Sequence, residues 1–271
     1  MSRIEAVFQQ LKASGKKGLI PFVTAGDPEI SETVKIMHAL VESGADLIEL
    51  GIPFSDPMAD GPVIQRASER ALEKGMNLLQ CLQMVKEFRT SNQVTPIVLM
   101  GYANPIEHMG IEKFVAIAKD SGVDGVLVVD YPPEECVEFT DILKSAGLCP
   151  IFLLAPTSSP ERIAHVAKVS SGYIYYVSLK GVTGASNVNA VEVSSVTNAI
   201  RAQTSTPIAI GFGIRDAQSA KTLSQSAEAI IIGSKLVQIL EDSSPDTRLQ
   251  SLKSFISEIR VALDDQSGHL N

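Results

Sequence analysis

Tryptophan is absent from this 271-residue chain, and histidine and cysteine are scarce. The four histidines, His38, His108, His165 and His269, are far apart, and none sits in an HxH or HxxxH pattern. That argues against a metal centre built from neighbouring ligands. The three cysteines, Cys81, Cys136 and Cys149, are odd in number and form no CxxC. They read as packing thiols in a reducing compartment, not as a disulfide framework. No basic run exists, and 23 Lys and Arg against 31 Asp and Glu leave a net charge of −8. Such a balance argues against nucleic acid or an anionic membrane surface as partner. No apolar stretch reaches the roughly 18 residues of a membrane span. The start, Met1-Ser2-Arg3-Ile4-Glu5, has no apolar core of a signal peptide. A cytoplasmic protein is expected.

What is present is a recurring unit. Short β-branched, apolar runs at 19–24, 47–50, 97–100, 125–129, 151–154, 173–177, 208–210 and 229–232 are each followed by a helical pattern. The runs do not alternate with polar residues, which suits strands buried on both faces of a parallel sheet. Ser43-Gly44-Ala45-Asp46 and Ser121-Gly122-Val123-Asp124 look like the same helix stop used twice. Ile111, Phe114, Val115 and Ala118 keep helical spacing, as do Leu249, Leu252, Ile256, Ile259 and Leu263. A helix carrying Ile4, Val7, Phe8 and Leu11 precedes the first strand and is placed to cap the bottom of a barrel. The expected fold is α/β: one (β/α)8 TIM barrel over residues 1–271 with an extra N-terminal helix. The alternative is a doubly wound open sheet. It often carries GxGxxG after strand one, where this chain has Ala25-Gly26-Asp27-Pro28.

Glu49 closes the apolar run Asp46-Leu47-Ile48-Glu49-Leu50, and Asp60 follows eleven residues later in a loop rich in proline and carboxylates. A carboxyl group there either points to solvent at the strand edge or faces the barrel mouth, where barrel enzymes keep their catalytic groups. The gaps after strands two and six are the longest, so lids or binding loops are expected in them. One gap holds Asp60; the other holds Gly181-Val182-Thr183-Gly184.

Gly211-Phe212-Gly213-Ile214 follows strand seven, and Gly233-Ser234 opens a short helical stretch at 235–240. Glycine loops after the last two strands, with a helix N-terminus, form the common phosphate site of barrels. Gly184 adds a further donor. Phe22, Met100, Tyr102, Leu127, Leu153, Tyr175 and Phe212 sit at strand ends and together would line a flat apolar pocket.

These motifs, with Met100-Gly101-Tyr102-Ala103-Asn104-Pro105 and Asp130-Tyr131-Pro132-Pro133-Glu134-Glu135, resemble the tryptophan synthase alpha chain family over nearly the whole sequence. The resemblance implies retro-aldol cleavage of indole-3-glycerol phosphate to indole and glyceraldehyde 3-phosphate. It implies Glu49 as general acid and base, and Asp60 as the carboxylate that binds the indole N–H. It further implies Tyr175 beside the catalytic carboxyl, Thr183 bonding Asp60 on loop closure, and Gly184, Gly213, Gly233 and Ser234 holding phosphate. Leu179-Lys180 departs from relatives that carry arginine just before the Gly181 loop. The family's partner is a beta chain, in an alpha2-beta2 complex. Pyridoxal phosphate is expected only in that partner, and no cofactor in this chain. Residues 53–58 and 104–109 resemble the partner-facing surface. A stand-alone indole-releasing lyase and a non-catalytic regulator are the other readings; keeping both Glu49 and Asp60 argues against the regulator.

Overall fold

The computed structural model describes residues 1–178, 190–211 and 213–265. It is a nearly closed barrel of nine parallel strands surrounded by twelve α-helices among the described residues. The strands are β1 (Gly18–Thr24), β2 (Ile48–Gly51), β3 (Ile97–Gly101), β4 (Gly125–Val128), β5 (Cys149–Ile151), β6 (Leu153–Leu154), β7 (Ile174–Val177), β8 (Ile208–Gly211) and β9 (Ala229–Ile232). Their order in the sheet is β5-β4-β3-β2-β1-β9-β8-β7-β6.

The run expected as one strand at 151–154 is split at Phe152, and the split is where the barrel closes. β5 pairs with β4, and β6 pairs with β7. Phe152 still accepts a hydrogen bond through its carbonyl from the Tyr175 N–H at 3.0 Å. One continuous segment thus changes partner from β4 to β7 along its length, as the stagger of a closed barrel requires.

Alternate residues of the strands fall into two separate cores. Ile20, Leu47, Val98, Leu127, Ile151 and Ile231 pack inside the barrel. Leu19, Ile48, Leu50, Leu99, Val126 and Ile230 pack outward with residues of the helices. Strand geometry turns successive side chains to opposite faces. With Ile48 and Leu50 outward, Glu49 must face the interior.

The N-terminal helix, Arg3–Ser14, joins that interior core through Ile4, Phe8 and Leu11 and plugs one end of the barrel. Ser2 and Glu5 form a capping box, and Gly15, at φ 66°, ends the helix in the left-handed region. Burying Ile4 and Phe8 contributes about 1.5–3 kcal/mol each. The twice-used helix stop has a further role at this end. Asp46 accepts the Leu19 N–H, and Asp124 accepts the Ile97 N–H, both at 2.8 Å. Arg260 pairs with Asp46, and Arg89 and Arg3 pair with Asp124.

Two expectations need correction. Leu249 is exposed; the buried stripe of helix Arg248–Asp264 runs through Leu252, Ile256, Ile259 and Leu263 and reaches back to Arg248. The Arg248 guanidinium fills that place because it donates to the Leu240 carbonyl and pairs with Glu32. The long gap after the second strand is mostly helix, Pro62–Glu73 and Leu78–Arg89, so the loop that carries Asp60 is only 52–61. The segment 104–109 lies in a short helix, Ala103–Met109.

Candidate active site

The interior face of the strands opens, away from the N-terminal plug, into a cavity of about 320 Å³. That volume suits a small metabolite. Glu49, in register with Phe22 on β1 and Val98 on β3, borders it and has no exposed surface. The Tyr173 hydroxyl donates to Glu49 Oε1, while Oε2 is buried with no partner. A carboxylate with a buried, unbonded oxygen is costly. Burial therefore pushes the Glu49 pKa up to about 8, against a smaller lowering by the Tyr173 hydrogen bond. The group is mainly protonated at neutral pH and is able to donate.

Asp60 borders the same cavity from the 52–61 loop. The Tyr102 hydroxyl donates to Asp60 Oδ2 at 2.9 Å and accepts the Ala59 N–H at 3.1 Å. Gln65 fixes the backbone by donating to the Asp60 carbonyl at 2.8 Å. Burial raises the Asp60 pKa and the Tyr102 bond opposes that rise. Phe54, from the same loop, stacks on Tyr102 with ring centroids 5.3 Å apart. Tyr102 thus acts on Asp60 and does not itself border this cavity.

Phe22, Met100, Ile64 and Ile231 form apolar walls. Tyr175 also borders the cavity, and its side chain lies flat against Gly211. A Cβ on Gly211 would stand 2.1 Å from the Tyr175 hydroxyl oxygen, so only glycine admits this ring. The lining is completed by Gly213, at φ 78°, and by Gly233 with Ser234, Gly233 lying against Phe22. Gly233 caps the helix Ser234–Asp242 without any side-chain acceptor; the Leu236 N–H donates to the Gly233 carbonyl at 2.8 Å, and the Ser234 and Lys235 N–H groups at the helix start are left for an anion.

The structure brings Glu49, Asp60, Phe22, Tyr175, Gly213, Gly233 and Ser234 to one cavity. It leaves out Leu127, which is fully buried in the interior core with the N-terminal plug. Thr183, Gly184 and Phe212, like Leu179 and Lys180, lie outside the described residues. Tyr173 escaped the sequence reading, although it shares a face with Tyr175 by strand alternation. Arg215 and Lys235 also border the cavity, each next to a glycine motif already singled out.

The family model described as "Tryptophan synthase alpha chain" matches residues 8–264. The tryptophan synthase alpha chain of Polynucleobacter asymbioticus is 63% identical over 264 residues, covering 97% of this chain and 100% of that one. That of Paraburkholderia phymatum is 60% identical over 264 residues, with 97% of each chain covered. The crystal structure of tryptophan synthase subunit alpha from Legionella pneumophila superposes with a TM-score of 0.91 at 40% identity, over 97% of this chain and 99% of that one. The barrel, the cavity and these matches agree: the chain belongs to the tryptophan synthase alpha chain family.

Proposed function

We propose that Glu49 and Asp60 carry the family's reaction in this cavity. The chain is a lyase of tryptophan biosynthesis that cleaves indole-3-glycerol phosphate to indole and glyceraldehyde 3-phosphate. The observation that supports the assignment best is the fully buried Glu49 with one oxygen unbonded, facing a cavity that also holds Asp60.

The Glu49 carboxyl gives its proton to C3 of the indole ring. Positive charge then develops on the ring nitrogen, and the Asp60 carboxylate, held by Tyr102, stabilises it through the N–H. Glu49, now a carboxylate, takes the proton of the side-chain hydroxyl next to the ring. A carbonyl forms, the carbon–carbon bond breaks, and its electron pair returns to the ring. Indole leaves aromatic, and Glu49 has its proton back. Each proton transfer by a placed group contributes about 10²–10⁴-fold. Gly213, Gly233 and Ser234 hold the phosphate with backbone N–H groups, joined by Gly184 and with Thr183 closing on Asp60. Phe22, Tyr175 and Phe212 flank the indole ring, and Leu127 supports the floor beneath it. No step calls for a cofactor in this chain.

Family membership implies a beta-chain partner. We extend this to a cytoplasmic alpha2-beta2 complex whose pyridoxal phosphate stays with the partner. Residues 1–271 act as one catalytic domain. No helix among the described residues is long and apolar enough to cross a membrane. Met58, 80% exposed on the Asp60 loop, fits a surface that a partner covers. The test is indole release from indole-3-glycerol phosphate, alone and with a beta chain. Glu49→Gln is expected to lose at least about a hundredfold in rate; full activity would overturn the assignment. Rapid turnover without a partner, with no complex in size exclusion, would indicate a stand-alone lyase.

A further inference from the structure

We propose that Arg215 and Lys235 form a cationic rim that draws in and orients the phosphate of the substrate, beyond what the glycine backbone supplies. This rests on the reading of the cavity as a site for a phosphorylated substrate. Both residues border the cavity at its glycine end, Arg215 two residues after Gly213 and Lys235 directly after Ser234. Both carboxyl groups of the proposed chemistry, Glu49 and Asp60, border the same cavity, so charges of both signs serve one small space.

Neither cation is engaged elsewhere by its side chain through a hydrogen bond or ion pair among the described residues. Their surroundings make this unusual. On the neighbouring helix Pro62–Glu73, Arg66 pairs with Glu241, and Arg70 pairs with Asp27 and Glu241. Asp216, which follows Arg215, spends Oδ1 on the Ser219 N–H and hydroxyl at the start of helix Ala217–Ser224. Lys235 stands in the first turn of helix Ser234–Asp242, and that turn holds no acidic residue. A cation there opposes the helix dipole. An anion bound at the same turn would remove the conflict, because it answers both the dipole and the ammonium group.

The chain as a whole carries a net charge of −8, so it repels a phosphate dianion at long range. Arg215, whose charge also lowers the pKa of the adjoining Asp216, and Lys235 place positive charge at the rim against that repulsion. Focusing of this kind raises association rates by about 10–10³-fold and fades as salt screens it.

The experiment measures indole release from indole-3-glycerol phosphate by the full chain with its beta-chain partner. Arg215→Gln, Lys235→Gln and the double variant are compared with the wild type from low to high ionic strength. Inorganic phosphate serves as a direct binding probe by calorimetry on the same proteins. The double variant is expected to raise KM about tenfold at low salt, to hold kcat within about twofold, and to flatten the salt dependence of KM. Phosphate affinity is expected to fall in parallel, and Arg215→Lys to recover most of the loss. Unchanged KM, salt slope and phosphate affinity would overturn the proposal, as would a fall in kcat alone. If the wild type released no indole, the reaction assignment would fail, while phosphate calorimetry would still decide the role of Arg215 and Lys235.

Discussion

Tyr173 on the segment leading into β7 and Glu49 on β2 meet across the barrel interior, 124 residues apart in sequence, through a hydrogen bond from the phenol to Oε1. The bond fixes one carboxyl oxygen and leaves Oε2 as the only one available for chemistry. It also sets how far the Glu49 pKa rises, since burial lifts it to about 8 against the lowering by Tyr173.

The first prediction concerns pH. Protonated Glu49 starts the reaction, so kcat/KM for indole release is expected to decline as pH rises through about 8. Tyr173→Phe removes the interaction that lowers the Glu49 pKa, so this alkaline limb moves to higher pH. The rate at neutral pH falls several-fold because the carboxyl is less firmly oriented. A pH–rate profile of both proteins checks this; an alkaline shift absent in the variant would separate Tyr173 from the catalytic proton.

The barrel was legible in the sequence because its strands are apolar on both faces and its helices carry one apolar stripe. The inward direction of Glu49 was not: Leu47, Ile48 and Leu50 are all apolar, so the sequence left the carboxyl between solvent and barrel mouth, and only the division of its neighbours into an inner and an outer core decides it. Other features depend on distance in space. Tyr173 became visible as a partner only when closure placed the start of β7 across from β2. The break at Phe152 follows from barrel stagger, which no local pattern encodes. Tyr102 read as an apolar lining residue, yet its hydroxyl reaches Asp60 from 42 positions away. Leu127 read as part of the mouth because it sits at a strand end, but it packs fully buried in the interior core and does not border the cavity.

A second prediction follows from Tyr102. Its hydroxyl holds Asp60 and opposes the rise of the Asp60 pKa caused by burial. Tyr102→Phe should raise that pKa further, so the acid limb of kcat/KM moves to higher pH. Activity at neutral pH should fall about tenfold or more, since Asp60 must be ionised and in place. An unchanged acid limb would show that Asp60 is held by other groups during the reaction.

Gly211 gives a third. Its backbone is ordinary, and the need for glycine is purely one of space, with the Tyr175 hydroxyl oxygen 2.1 Å from where a Cβ would stand. Gly211→Ala therefore drives the Tyr175 ring toward the substrate cavity. Indole release should fall sharply, and stability by about 1–3 kcal/mol, as for other overpacked sites. Thermal unfolding and the indole assay test both parts. Wild-type values in both would mean that the ring swings aside at no cost.

The fourth prediction separates stability from activity at Glu49. The unfolded chain releases this proton near the ordinary value of 4.5, whereas the folded chain holds it to about 8. Between those values the folded state binds more protons than the unfolded state, so stability contributed by this group declines as pH rises through the window and levels off above about 8. Glutamine does not titrate, and it still accepts the Tyr173 hydrogen bond. Glu49→Gln is therefore expected to be inactive yet more stable than the wild type by about 1–3 kcal/mol at pH 8, with the difference shrinking toward pH 5. Denaturant midpoints at the two pH values measure it. A difference that does not vary with pH would mean that Glu49 is already ionised in the folded protein, and the role of proton donor to the indole ring would fall with it.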